Sequence, residues 1–124
     1  MRAVHEEWFE QTIAKDLDGL MQQIDPEIVS YEPAGAVQYV GIDEVREVCR
    51  RGLESSPGAI EFDIPDLTVL ADGDLAVAWG LDHIVAEDPD GHRIQTQSRG
   101  TRVFKRRSSG WSLVHQHLSM PAPT

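Results

Sequence analysis

A few side chains in this 124-residue sequence have the chemistry of bases, ion pairs and proton carriers. Glu32 closes a short apolar segment, Ile28 to Glu32. A carboxylate inside an apolar cavity has its charged form penalised, so its pKa rises and it becomes a usable base near neutral pH. Simple alternation argues the other way: Val29 and Tyr31 look like the buried face, which leaves Glu32 as a solvated strand-end residue. Asp82 and Arg102 carry opposite charges on two neighbouring extended segments. They can anchor a polar substrate group or form a structural or interface pair. His115 and His117 are spaced as His-x-His, and imidazoles titrate near neutral pH. One of them can relay a proton or donate to a developing oxyanion. The alternative is that one packs in the core and the other faces a subunit contact. The spacing also suits some metal sites, but zinc needs a third ligand such as Glu32 or His83. No other His/Cys motif supplies one, so no metal is expected.

The remaining reactive types read as structural. Cys49 lies on an apolar helical stripe and packs rather than attacks. His5, His83 and His92 read as surface or turn residues, and His83 has the strand parity opposite to Asp82. Trp8, Trp79 and Trp111 read as core or pocket wall. Asp16, Asp18 and Asp43 read as helix caps.

These groups need elements to hold them. Val4, Trp8, Phe9, Ile13, Leu17, Leu20, Met21 and Ile24 recur at helical spacing, with a break near Lys15 and an N-cap at Asp16. Asp25-Pro26 stops the second helix. Ile28–Glu32 is a short strand, turned by Pro33 and Gly35, and Gln38–Val40 resumes an extended path. A third helix starts near Gly41, with Glu44 in capping-box position and Val45, Val48, Cys49 and Leu53 as its apolar stripe. It ends over Ser55–Gly58. From Ala59 the period changes to two. Turn signals at Asp72-Gly73, Asp88-Pro89-Asp90-Gly91 and Ser108-Ser109-Gly110 divide the rest into a four-stranded antiparallel meander. Helices gathered on one face of such a sheet make an α+β layer architecture. One domain over residues 1–120 is expected, with 121–124 as a frayed tail.

Composition narrows the partners. The net charge is −10, a field that repels phosphate backbones and anionic lipid. Nucleic acid and membrane surfaces are therefore not expected, despite the short basic cluster Lys105-Arg106-Arg107. No apolar run reaches membrane-spanning length, and the acidic, amphipathic start does not read as a signal peptide. A single cysteine excludes an internal disulfide and fits a reducing compartment. A cytoplasmic location is expected.

The order of elements resembles the nuclear-transport-factor-2-like superfamily. The run Thr101-Arg102-Val103-Phe104, Arg106-Arg107, Gly110-Trp111, Val114-His115-Gln116-His117-Leu118-Ser119 is similar to SnoaL-like domains. It is also similar to the association domain of calcium/calmodulin-dependent kinase II. Lys15-Asp16-Leu17-Asp18-Gly19-Leu20, Glu32-Pro33-Ala34-Gly35 and Gly41 resemble ketosteroid isomerase and its relatives. The resemblance implies a cone-shaped α+β barrel: a curved antiparallel sheet wrapped around three helices, enclosing one pocket.

Against the isomerase pattern Glu32 falls at the carboxylate base, Trp8 at the tyrosine and Gly100 near the protonated acid. The base position keeps a carboxylate, and both oxyanion donors are absent. Against the kinase association domain, Arg102 matches one pocket arginine and Asp82 falls at another. The resemblance turns the faces of Arg102, Asp82, His115 and His117 inward. The implied catalytic set is Glu32, His115 and His117, and the substrate-binding set is Trp8, Asp82, Arg102 and Tyr31.

The implied function is a cofactor-independent proton-transfer enzyme of the isomerase, cyclase or dehydratase type. Its ligand would be small, hydrophobic or cyclic, with a carbonyl, as in a steroid or polyketide. The rival is a non-catalytic ligand-binding or oligomerisation module. A third reading, an oxygenase partner or epoxide hydrolase, resembles relatives with an Asp-Arg-Asp relay, of which this chain has one Asp-Arg pair. A homodimer through the outer sheet face is expected for this fold.

Overall fold

The computed structural model describes residues 1–56, 58 and 60–122. Pro123 and Thr124, half of the segment read as a frayed tail, lie outside the described residues. So do Pro57, in the expected helix end, and Ala59, where the period changes.

Helix α1 (Arg2–Ile13) stops where the chain turns left-handed at Lys15, φ 56°. Asp16 then caps the short helix α2 (Leu17–Met21), its carboxylate accepting from the Gly19 N–H at 3.0 Å. Strand β1 (Ile24–Tyr31) starts earlier than expected and runs through Pro26. Its register against the neighbouring strand slips between Ile24 and Val29, and a proline without an N–H is tolerated at such an interruption. Strand β2 (Tyr39–Val40) leads into helix α3 (Ile42–Glu54). Glu44 reaches back to the Val40 N–H at 2.5 Å, one residue before the Gly41 N-cap whose N–H a capping-box glutamate would take.

The described residues of the second half hold five strands rather than four: β3 (Ile60–Asp63), β4 (Thr68–Asp72), β5 (Leu75–Glu87), β6 (Arg93–Arg107) and β7 (Gly110–Ser119). The run expected to be one strand breaks at Pro65, and its two pieces lie end to end along β5. Asp66 holds the break by accepting the Leu81 N–H at 2.8 Å. Gly80 makes room for it: a Cβ there would stand 2.4 Å from Ile64 Cγ2.

The sheet order is β2-β1-β7-β6-β5-β3, with β4 also on β5. This is the curved sheet around three helices expected from the sequence. One pairing differs, because β1 runs parallel to β7. The core under the sheet is Ile28, Val45, Ala76, Ala78, Phe104 and Leu113.

Asp25 ties the start of β1 to the far hairpin. It is 4% exposed. One carboxylate oxygen accepts from Arg107 Nε and Nη2 at 3.1 and 3.0 Å and from Ser112 Oγ at 3.1 Å; the other takes the Glu27 N–H at 3.1 Å. The Glu27 N–H first, then Arg107 and Ser112, hold its pKa below the usual carboxylate value of 3.8. Asp25→Ala should cost about 2 kcal/mol, the scale of hydrogen bonds to a charge. Because the folded pKa is depressed, this contribution is present above pH 3.8 and is lost as pH falls through the lower folded value. Urea melts of wild type and variant should therefore converge in acid.

A bulge in β7 decides which side chains face inward. Val103 pairs with His115 and Phe104 with Leu113, so Val114 has no partner on β6. Beyond the bulge, strand parity is reversed relative to Trp111 and Leu113.

Candidate functional site

The inner face of the sheet carries a polar cluster drawn from four strands. Asp82 on β5 and Arg102 on β6 are each 2% exposed. Arg102 grips Asp82 with two parallel bonds, Nη1 to Oδ1 at 3.0 Å and Nη2 to Oδ2 at 2.6 Å. Such a fork-to-carboxylate fit is the geometry a buried ion pair needs to offset desolvation. The indole of Trp8, from α1, lies over the guanidinium with 4.3 Å between Cζ and ring centroid. Gly100 leaves space for the pair, since a Cβ there would stand 2.6 Å from Arg102 Nη1.

From Arg102 the hydrogen bonds run in one direction. Its Nε–H donates to Gln116 Oε1 at 3.3 Å. Arginine has no acceptor, so this bond fixes which way the Gln116 amide points. Gln116 Nε2 then donates to Ser30 Oγ at 3.0 Å, and the Ser30 hydroxyl donates to Glu32 Oε2 at 3.1 Å. The same amide nitrogen stands 3.5 Å from Glu32 Oε2. Burial pushes the Glu32 carboxyl up from its ordinary value; the Ser30 bond and the Arg102 charge oppose this, and Asp82 adds to it.

Glu32, Asp82, Arg102 and Trp8 are thus brought together. Alternation from Tyr31 puts Glu32 in solvent, but beyond the register slip Ile28 and Ser30 are the buried side chains of β1, and half-buried Glu32 shares their face.

The other three expected site residues are not brought in. His115 and His117 were read as inward-facing, and the Val114 bulge turns both to the outer face. There the His115 Nδ1–H donates to the Val29 carbonyl at 2.6 Å. Tyr31 was expected among the substrate contacts. It also lies outside, 38% exposed, with its ring edge-on to His115 and His117 at 4.9 and 5.3 Å. The side chain β7 sends inward is Gln116, which parity counting without the bulge places outside.

His5 corrects another reading. The sequence reads as placing it on the surface or in a turn, whereas it is fully buried against Trp8, Phe9 and Phe104. Its Nδ1–H donates to the Met1 carbonyl at 3.1 Å, while Nε2 has no partner among the described residues. Burial pulls its pKa below 6.5, the Met1 bond opposes this, and the Arg102 charge lowers it further. A neutral His5 is what this site accommodates.

Beside the cluster lies a mostly apolar cleft of about 300 Å³, walled by Trp8, Leu20, Cys49, Leu53, Phe62 and Ile84. Trp8 belongs to both, with its indole in the cleft wall and over Arg102. Cys49 also links them. It lines the cleft, and its thiol is pushed up to about 11 by burial and by the Glu32 charge. At neutral pH it is a packing thiol, not a nucleophile. Asp88, Asp90 and His92 group their ligand atoms at the β5–β6 turn, but Asp88 Oδ1 there accepts the Asp90 and His92 N–H groups as part of the turn itself. No helix among the described residues is long and apolar enough to cross a membrane.

Comparison with known proteins places this geometry. A family model described as the SnoaL-like domain matches residues 1–123. The chain is similar to an NTF2-like protein of unknown function from Pseudomonas putida KT2440. The two share 25% identity and a TM-score of 0.87 over 99% of this chain and 85% of that one. A candidate dehydratase of the NTF2-like family from Streptomyces avermitilis is 18% identical, TM-score 0.87, over 98% and 94%. The S. rosetta CaMKII hub is 26% identical, TM-score 0.79, over 97% and 93%. No curated protein matches the chain.

Proposed function

The chain belongs to the SnoaL-like domain family, and on that premise we propose that it is a cofactor-independent proton-transfer enzyme acting next to a carbonyl. Glu32 is the base. The observation that carries this reading is a half-buried carboxyl, raised by desolvation, at the end of a directed hydrogen-bond chain and close to Cys49 of the apolar cleft. Proton abstraction α to a carbonyl needs a positioned base and stabilisation of the enolate. The C–H electron pair moves into the enolate while the proton joins Glu32. Returning it to another carbon gives an isomerisation, and delivering it to a departing β-hydroxyl, which leaves as water, gives a dehydration.

With both histidines turned away, the enolate would be held by Arg102, which has five N–H groups of which three bond Asp82 and Gln116. The cleft walls suit a small, apolar, cyclic substrate with few polar groups. The test incubates the protein in D₂O with a panel of mono- and polycyclic ketones and follows deuterium entry by mass spectrometry. Label entering at the α carbon above the buffer rate, and lost in Glu32→Gln, supports the reading. A panel with no exchange above buffer overturns it.

The likeness to the CaMKII hub, with large apolar side chains exposed on the outer sheet face, favours a second reading as an assembly module. Trp79 and Leu81 stand on that face, 41% and 38% exposed. A second copy of the chain covering it buries both. Sedimentation should give a dimer, and Leu81→Glu should give a monomer. A ring much larger than a dimer would favour assembly over catalysis.

A further inference from the structure

We propose that Gln116 is a positioning residue, acting through Ser30 to hold Glu32 Oε2 as an acceptor and so reserving Oε1 as the oxygen that takes the proton. This deepens the assignment of Glu32 as the base and rests on it for the proton step.

The argument is one of hydrogen-bond direction. Arg102 Nε can only donate, so the oxygen of the Gln116 amide faces it and the amide nitrogen faces β1. Ser30 Oγ receives that nitrogen's proton, so its own proton goes to Glu32 Oε2. The second Gln116 approach, at 3.5 Å, falls on the same oxygen. Oε2 is thereby engaged by the Ser30 hydroxyl and approached by the Gln116 amide, while no hydrogen bond to Oε1 occurs among the described residues. A carboxylate whose two oxygens differ in this way transfers a proton through one of them. In the step, the substrate C–H bond breaks, its electron pair enters the enolate and the O–H bond forms on Oε1. The Ser30 donation to Oε2 persists in both protonation states.

Ser30 on β1 and Gln116 on β7 reach Glu32 within hydrogen-bond distance, the charges of Arg102 on β6 and Asp82 on β5 act on it, and its own charge acts on Cys49 of α3. Gln116 and Ser30 are 8% and 1% exposed, so solvent cannot readily replace either donor. A strand-packing role alone would need neither the amide's direction nor the hydroxyl.

The test is the titration of the Glu32 carboxyl carbon, followed by ¹³C NMR in the full chain, which needs no substrate. Ser30→Ala and Gln116→Met should each raise the Glu32 midpoint. The double variant should shift by less than the sum of the two single variants, because Gln116 acts mainly through the hydroxyl. Ser30→Ala removes one oxygen and should fold, so it carries the test if Gln116→Met does not. A midpoint unmoved in Ser30→Ala, or shifts that add in the double variant, overturns the proposal. Moved, non-additive midpoints support the positioning. If Glu32→Gln nevertheless keeps full deuterium exchange, only the base assignment falls.

Discussion

Arg102→Met is expected to be the most damaging single substitution in the protein, costing about 3–5 kcal/mol, the range for breaking one side of a buried ion pair. Asp82 is 2% exposed and loses both its guanidinium bonds, so an unpaired carboxylate remains inside the sheet. Gln116 loses its donor, and the Trp8 indole loses the cation beneath it. Arg102→Lys should recover little, because an ammonium cannot reproduce two parallel bonds to one carboxylate. The informative variant is Asp82→Leu combined with Arg102→Met. Filling the space with apolar side chains should return most of the lost stability, since such replacements are often neutral or stabilising. Urea unfolding of the two single variants and the double one measures the coupling. If the double variant is as unstable as the sum of the singles, the pair is not the unit that matters.

Glu32→Gln should remove catalysis and add stability. If Glu32 is the base, ketone deuterium exchange should fall by roughly 10²–10⁴-fold, the usual contribution of a positioned general base. Thermal stability should move the other way. The folded carboxyl is raised above 4.5, so between 4.5 and that value the native state holds more protons than the unfolded chain. The favourable linkage is therefore complete below pH 4.5. It is lost as pH rises through the raised folded value, and stays lost above it. Glutamine has no charge to desolvate and carries an oxygen that can still accept from Ser30. The gain in Tm of Glu32→Gln over wild type should therefore grow from acid to neutral pH and then level. A gain that is independent of pH would mean that Glu32 titrates as a solvated carboxylate.

The two effects belong together. Glu32 is half-buried and its carboxyl is raised by desolvation, a cost to the fold that a chemical role would explain. Glutamine at position 32 is expected to remove that cost.

What the sequence determined by itself is local. The cap at Asp16, the break at Lys15, the helix start at Gly41, the three turn signals and the change of period follow from backbone preferences and spacing. Together with the resemblance they sufficed for the curved sheet around three helices. The Asp82–Arg102 pair was legible in part: parity puts both on one face, but Asp82 stands opposite Ser98 and Arg102 opposite Ala78, so the long arginine closes the pair by reaching past Gly100.

Tertiary structure decided the rest. A bulge is a property of two strands at once, so nothing in Leu113-Val114-His115 announced that Val114 would lack a partner on β6. That one unpaired residue sends His115 and His117 outward and Gln116 inward. Tyr31 and Glu32 show the same limit on β1. Alternation says that they face opposite ways, but only the parallel pairing of β1 with β7 says which of them faces in. Strand parity is a local rule, and the choice of face is made by the partner strand.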